Sequence, residues 1–554
     1  MDTSNINQEV INKIFPKGLE TPEFWETKYL KRNLTDKAIV TRIAPSPTGF
    51  MHIGGIYAAL ISERLAHQDN GIFYLRIEDT DKKREVPGAT ELIIDSLANY
   101  DIKIDEGPTK DNKEFGNYGP YKQSEREMIY KSYIKKLLLA NLAYPCFSSN
   151  EELEAMRELQ EKQKIKTGYY GNWAIWRNKS EAEVLTALKE DKPFVIRFRS
   201  PGINDNKIKV EDLLLGKREL PENDQDIVIM KSDGLPTYHL AHVVDDYLMG
   251  TTHVIRGNEW FPSLALHYQL FKAFNWPLPK YGHIFPIQKL ENSSKRKLSK
   301  RKDPEANILY YSSLGYPKQA VIEYLLNLAN SNFEDWRKLN PGNDNRDFKL
   351  SLEKLAKSNG PLLDIEKLNN ISKEIIAKYS AEKVFNETLS WAKIFKPELA
   401  TTLEKYPEYS KDIFNIEREN VAKVRKDIAK WSDIETEIEY FFDENFNLDK
   451  SEIEKIIPEI TYLDIKNISA AFLESFSESD TNEIWFEKIK KIATNHGFAE
   501  NNKLYKENPE KYKGSVAEVA KVIRVLLTGR TQTPDLYSII KTMGRDRVIK
   551  RLSL

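Results

Sequence analysis

Residues 45–55, PSPTGFMHIGG, bring two prolines, three glycines and one histidine into a stretch without a charged side chain, in a chain that is 30% charged. Glycine lacks a Cβ, so such a loop can press its backbone against a ligand. Placed between the end of a strand and the start of a helix, its free N–H groups and the helix dipole favour an anion. His52 can then donate to phosphate oxygens without adding a permanent charge. Taken alone, a histidine here is more often a buried side chain in a tight turn. A second candidate for phosphate or nucleic-acid chemistry is KRKLSKRK, residues 295–302, with six cations in eight residues. The C-terminal stretch from Lys511 to Arg551 is also basic, although charge runs are usually solvated faces.

The loop needs elements to hold it. Residues 37–43, KAIVTRI, read as a strand that ends at the loop, residues 56–68 carry apolar side chains at helical spacing, and residues 72–79 read as a second buried strand. This order opens a parallel α/β unit. From about 120 to 230 charged helical segments (125–142 and 151–163) and the Trp/Gly-rich GYYGNWAIWRN, 168–178, suggest an insertion with its own small core. Strand-like patterns return at 227–230, 242–249 and 253–257, followed by an amphipathic helix over 262–274. Beyond about 305 the pattern is almost wholly helical, including 319–329 and 350–357, with an exposed turn at 341–347. Internal repeats and low-complexity linkers are absent from the sequence.

Composition bounds the function. A chain of 554 residues exceeds one core and predicts about three to five domains. No apolar run approaches the roughly eighteen residues of a membrane helix, and the polar start MDTSNINQEV predicts no export signal. One cysteine, Cys146, excludes an internal disulfide framework or a multi-cysteine zinc cluster and suits a reducing cytoplasm. The formal net charge of -1 offers no bulk attraction to nucleic acid, so any such contact rests on patches.

The pattern P-S-P-T-G-x-x-H-I-G-G, preceded by T-R-I-A, resembles the His-Ile-Gly-His signature of class I aminoacyl-tRNA synthetases in its glutamyl form. KLSKR, 297–301, resembles the Lys-Met-Ser-Lys-Ser signature those enzymes carry late in the Rossmann domain. RIEDTD, 76–81, and GLPTYHLAHVVDDYLMGTTHVIRGNEW, 234–260, are similar to their remaining active-site segments, and 526–544 to the end of their bacterial anticodon-binding domain. The resemblance spans most of the chain and leaves residues 1–35 as an extension. It implies an α/β fold: a Rossmann-type parallel-sheet catalytic domain over 36–120 and 231–290, interrupted by an acceptor-binding subdomain at 121–230. An all-helical stem-contact domain over 291–395, with the KLSKR loop, and an anticodon-binding domain over 396–554 would follow.

The resemblance also implies roles. Glutamate carries two carboxylates and one ammonium, so its pocket calls for cations and one anion. Arg42 would grip the side-chain carboxylate bidentately, with Arg256 as second cation, Tyr238 as hydroxyl donor, and Glu78 for the α-ammonium. Ala44 and Ser46 would line the same pocket, and His242 stands where many relatives have Asn. ATP would meet Pro47, Thr48, Gly49, His52, Gly54, Gly55, Glu259, Lys297, Leu298, Ser299 and Lys300, with His52, Lys297 and Lys300 stabilising the phosphates during in-line attack. Mg²⁺ would come with ATP. One thiol cannot build the usual zinc site, so no structural zinc is expected. The implied partner is tRNA(Glu), with tRNA(Gln) open as a second, contacted through Arg177 and the aromatics near it and through Arg425, Lys426 and Arg530. A cytoplasmic monomer is the family expectation.

On residue type alone Glu78 and Arg256 would more readily serve as a structural ion pair. Gly55 replaces the second histidine of the signature, a change common in glutamyl enzymes. Rival readings are a glutaminyl-tRNA synthetase, which would open on a Pro-Pro-Glu-Pro-like stretch and end in β-barrels, a truncated enzyme that glutamylates a tRNA base, and a non-catalytic tRNA-binding paralogue.

Overall fold

The computed structural model describes residues 8–356 and 360–554, so the first seven residues of the expected extension and Lys357 of the expected 350–357 helix lie outside the described residues. The chain divides into two compact units: residues up to 310 with 322–363, and 311–321 with 364–554.

The first unit is built on parallel strands. Val40–Ile43 pairs in parallel with Ile72–Leu75. The helix Ile53–His67 crosses between them and buries most of its length, the polar Ser62, Glu63 and Arg64 included. On the other side, Thr252 donates its N–H to Val40 O at 3.0 Å, which brings in His253–Gly257. That strand pairs in parallel with Lys280–Ile284, and Lys280–Ile284 meets Lys207–Asp212 at the single register pair Tyr281–Asp212. The hairpin Lys207–Asp212/Gly216–Pro221 thus joins this sheet from within the stretch read as insertion. The rest of that stretch has its own three-stranded antiparallel sheet, Ala143–Cys146, Val195–Phe198 and Val228–Met230, with the helices Asn150–Lys162 and Glu181–Lys189. Residues of the N-terminal extension pack on both parts: Val10 against Phe147, Val184 and Leu188, and Phe15, Leu19 and Tyr29 in the larger core.

One expected strand is a helix. Residues 242–248 of that stretch fall in the helix Tyr238–Leu248 and Met249 caps it, although the β-branched pair Val243–Val244 invites the strand reading. Burial instead follows helical spacing: Leu240 and Ala241, then Val243 and Val244, then Leu248 all face the core. Asp245 and Asp246 are buried too, which only charged partners make tolerable.

The regular elements among the second unit's described residues are all helices, Ile365–Ile376 and Arg545–Leu552 among them, around one continuous apolar core. No helix among the described residues is long and apolar enough to cross a membrane.

Candidate active site

His52 is the N-cap of the helix Ile53–His67, and its Nδ1 accepts the Gly54 N–H at 2.9 Å. An imidazole that accepts at Nδ1 carries its proton at Nε2. Burial, then the charges of Lys300 and Lys297, lower its pKa and keep it neutral. The expectation of a neutral donor at the mouth of a helix dipole therefore has the right tautomer. Gly49 adopts φ +115°, a backbone that a side chain would strain. Pro47 is buried, whereas Ser46 and Thr48 are exposed and Ala44 is half-buried.

The hairpin Gln288–Glu291/Ser294–Lys297 carries the KLSKR stretch toward this loop. Arg296 anchors it, donating to both oxygens of Asp303 at 2.6 and 2.8 Å, and Asp303 also accepts the Ser299 N–H. Leu298 is buried. Lys300 Nζ donates to Phe50 O at 3.0 Å, within the glycine-rich loop, and burial lowers its pKa. Lys297 instead meets Glu259 Oε1 at 3.0 Å. The two signature stretches, far apart in the chain, thus touch.

The candidate amino-acid pocket lies at the carboxyl ends of the parallel strands, where open α/β sheets bind ligands. Arg42 Nε lies 3.3 Å from Asp246 Oδ1 and its Nη2 lies 3.4 Å from His242 Nδ1, while Nη1 has no partner among the described residues. Arg76, fully buried, binds Asp246 Oδ1 at 2.7 Å and Glu78 Oε1 at 3.1 Å. Asp245 accepts from Arg126, Gln123 and Tyr130. Three guanidiniums (Arg42, Arg76, Arg126) thus balance three carboxylates (Glu78, Asp245, Asp246) in the interior. Burial raises the Glu78 pKa against the pull of Arg76 and Arg42. A bound ammonium would relieve that cost.

Arg256 is bound differently. It donates Nε–H to His283 at 2.9 Å, Nη1–H groups to Tyr238 Oη at 3.2 Å and His267 Nδ1 at 3.3 Å, and Nη2–H to Trp260 O at 3.3 Å. It has no carboxylate partner among the described residues, so the ion pair that residue type alone allowed for it is not formed; Glu78 pairs with Arg76. Tyr238 packs on Trp260, with ring centroids 4.6 Å apart, and burial raises its pKa while the nearby Arg256 opposes that rise. His242 is fully buried, and its Nε2 lies 3.1 Å from Tyr281 Oη, so both ring nitrogens face protein groups.

The expected tRNA contacts are more occupied. Arg177 donates to Asp226 and Ser200 O, and Tyr169 and Trp176 help form the small core around Cys146. The Cys146 thiol lies 3.3 Å from both Tyr169 Oη and Arg197 Nε. In the second unit Arg425, its side chain 8% exposed, binds Asp427, Lys426 binds Glu374, and Arg530 binds Glu439.

Sequence reasoning missed Arg76, Asp212, Asp246, His267 and His283. Their one signal is a polar residue within an apolar run, as in VVDDYL and YGHIF.

The catalytic-domain profile of class I tRNA synthetases (E and Q) matches residues 38–343, and an anticodon-binding-domain profile matches 387–554. The glutamate–tRNA ligase of Clostridium perfringens strain 13 is 47% identical over 545 residues, covering 98% of this chain and 100% of its own. That of Acetivibrio thermocellus is 46% identical over 546 residues, covering 98% and 99%. A crystal structure of the glutamate tRNA ligase of Elizabethkingia meningosepticum, in complex with its amino acid, superposes with a TM-score of 0.71 at 28% identity, covering 93% of this chain and 98% of that one.

Proposed function

The chain belongs to the class I glutamate–tRNA ligases, and we propose that Arg42, Glu78 and Arg256 hold its glutamate while His52, Lys297 and Lys300 face the phosphates of ATP. The enzyme activates L-glutamate with ATP to glutamyl-adenylate, releasing pyrophosphate, and transfers the glutamyl group to the 3′-terminal adenosine of tRNA(Glu).

The reading of the pocket is supported by one observation. Arg256 with no carboxylate partner among the described residues, Arg42 with its Nη1 open, and the buried Glu78 bring two cationic groups and one anionic group together, and this charge pattern is that of glutamate inverted. Arg42 grips the side-chain carboxylate with its open Nη1 edge, Glu78 receives the ammonium, and Arg256 supplies the second positive charge. The α-carboxylate then attacks the α-phosphorus in line and pyrophosphate leaves, with no protein nucleophile. His52 Nε2–H and the two lysines stabilise the charge that develops. Mg²⁺ enters as part of the ATP substrate, held by phosphate oxygens and water. In the second step the 2′-hydroxyl of the terminal adenosine displaces AMP from the mixed anhydride.

In this reading residues 121–230 hold the acceptor end, 291–395 contact the stem, and 396–554 read the anticodon, whose unstacked bases expose their edges. Residues 1–35 remain an extension to the catalytic halves at 36–120 and 231–290. The ligase acts as a cytoplasmic monomer without structural zinc, and tRNA(Gln) is a candidate second substrate. ATP–pyrophosphate exchange measured with tRNA present, glutamate against glutamine, tests the reading; exchange with neither amino acid would sink it. Charging of separately transcribed tRNA(Glu) and tRNA(Gln) then settles the tRNA range.

A further inference from the structure

Arg256 is a buried arginine oriented by neutral groups. Its side chain reaches two imidazoles, a hydroxyl and a carbonyl, which together take four of its five N–H groups, leaving one on Nη2. Arg76, by contrast, is neutralised by Asp246 and Glu78. Arg76, held by two carboxylates with no group turned to a ligand, has little attraction left for an anion, whereas a guanidinium clamped by neutral acceptors keeps its charge for one.

The clamp has a definite proton arrangement. The Nε–H of arginine only donates, so His283 Nε2 must accept it and His283 Nδ1 must carry the proton. That Nδ1–H faces Asp212 Oδ2 at 2.6 Å. The other oxygen of Asp212 accepts the N–H groups of Leu214 and Leu215, both at 2.9 Å, so the carboxylate cannot turn away. The side chains of His283 and Asp212 are completely buried. Arg256 and His283 are register partners on adjacent strands, and Asp212 lies on the next strand, paired at Tyr281. Strand positions of this kind hold geometry more tightly than loops do. Burial lowers the His283 pKa, and Arg256 adds to that, so the ring stays neutral although Asp212 opposes them.

We propose that Asp212 and His283 are positioning residues for Arg256: the carboxylate selects the His283 tautomer whose Nε2 accepts the Arg256 Nε–H, and this aims an unneutralised guanidinium at the carboxylate charge of the bound amino acid. The proposal rests on the assignment of Arg256 to glutamate.

The test is steady-state kinetics on the full chain, with KM for glutamate and for ATP measured on Asp212→Asn, His283→Leu, His283→Gln and Arg256→Lys. In Asp212→Asn the amide oxygen stays on the Leu214 and Leu215 N–H groups, so its NH2 faces His283 and reverses the tautomer. Asp212→Asn and His283→Leu should raise KM for glutamate about ten-fold or more while KM for ATP stays within about two-fold. His283→Gln, whose amide oxygen can accept from Arg256, should lie closer to the parent than His283→Leu does. Unchanged glutamate KM in Asp212→Asn and His283→Leu overturns the proposal. So does a rise shared equally by ATP, or a Gln variant no better than Leu. Arg256→Lys separates the two levels: if it raises glutamate KM and the others do not, only the positioning role fails. If Arg256→Lys leaves glutamate KM unchanged, the underlying assignment fails and the proposal falls with it.

Discussion

Lys297 Nζ rests 3.0 Å from Glu259 Oε1, and both side chains are about half exposed, at 52% and 48%. An ion pair so open to water is worth about 1 kcal/mol or less, so a triphosphate can take the lysine from the carboxylate at little cost.

The two loop lysines should therefore act on rate rather than on amino-acid affinity. Lys297→Ala and Lys300→Ala are expected to slow glutamyl-adenylate formation about 10²-fold, the usual scale for losing one preorganised charge on a developing oxyanion. KM for glutamate should move about two-fold at most. Single-turnover activation kinetics check this, and an equal loss in both quantities would count against the assignment.

Asp246 is fully buried between Arg42 and Arg76. Asp246→Asn removes the shared countercharge of two buried guanidiniums and should destabilise the first unit by about 3–5 kcal/mol. Urea unfolding monitored by tryptophan fluorescence measures it. A loss under about 1 kcal/mol would mean that water already reaches the cluster.

His67 ends the helix that His52 begins, and it binds Asp105 Oδ2 at 2.6 Å and Glu63 Oε1 at 3.1 Å. The hydrogen bonds to Asp105 and then Glu63 push its pKa up to about 9. A folded pKa above the unfolded value of about 6.5 means stability that is complete below that pH and lost as pH rises through the folded pKa. The parent should exceed His67→Gln in stability by roughly 2–3 kcal/mol at acid to neutral pH, and the gap should close above the folded pKa. Unfolding of both proteins across that range is the measurement; a gap constant with pH would contradict it.

A Cβ at Gly54 would lie 3.0 Å from His52 Nδ1. Gly54→Ala should thus displace the imidazole and lower activation, while the helix itself gains up to about 1 kcal/mol from the better residue. Thermal midpoint and activity should move in opposite directions. Parallel loss of both would place the damage in the fold.

The glycine-rich loop was legible because its pattern is local. PSPTG and HIGG lie within eleven residues, and the strand and helix that flank them, Val40–Ile43 and Ile53–His67, follow from apolar spacing. The helix Tyr238–Leu248 was misread because its paired valines favour a strand locally, and only burial on a common face selects the helix.

The residues that hold the pocket were not legible for a different reason. Arg42 and Asp246 are 204 positions apart, and His283 and Asp212 are 71 apart. Their meeting depends on strand register, which is decided by packing over the whole sheet. The sequence alone determined the loop, the signature lysines and the charge types needed for a dicarboxylate with an ammonium. Only the tertiary structure decided that Arg76 is neutralised by carboxylates while Arg256 is held by imidazoles. Which buried charge remains available to a ligand depends on which polar atoms lie within about 3 Å of it, and adjacency in the chain does not specify that.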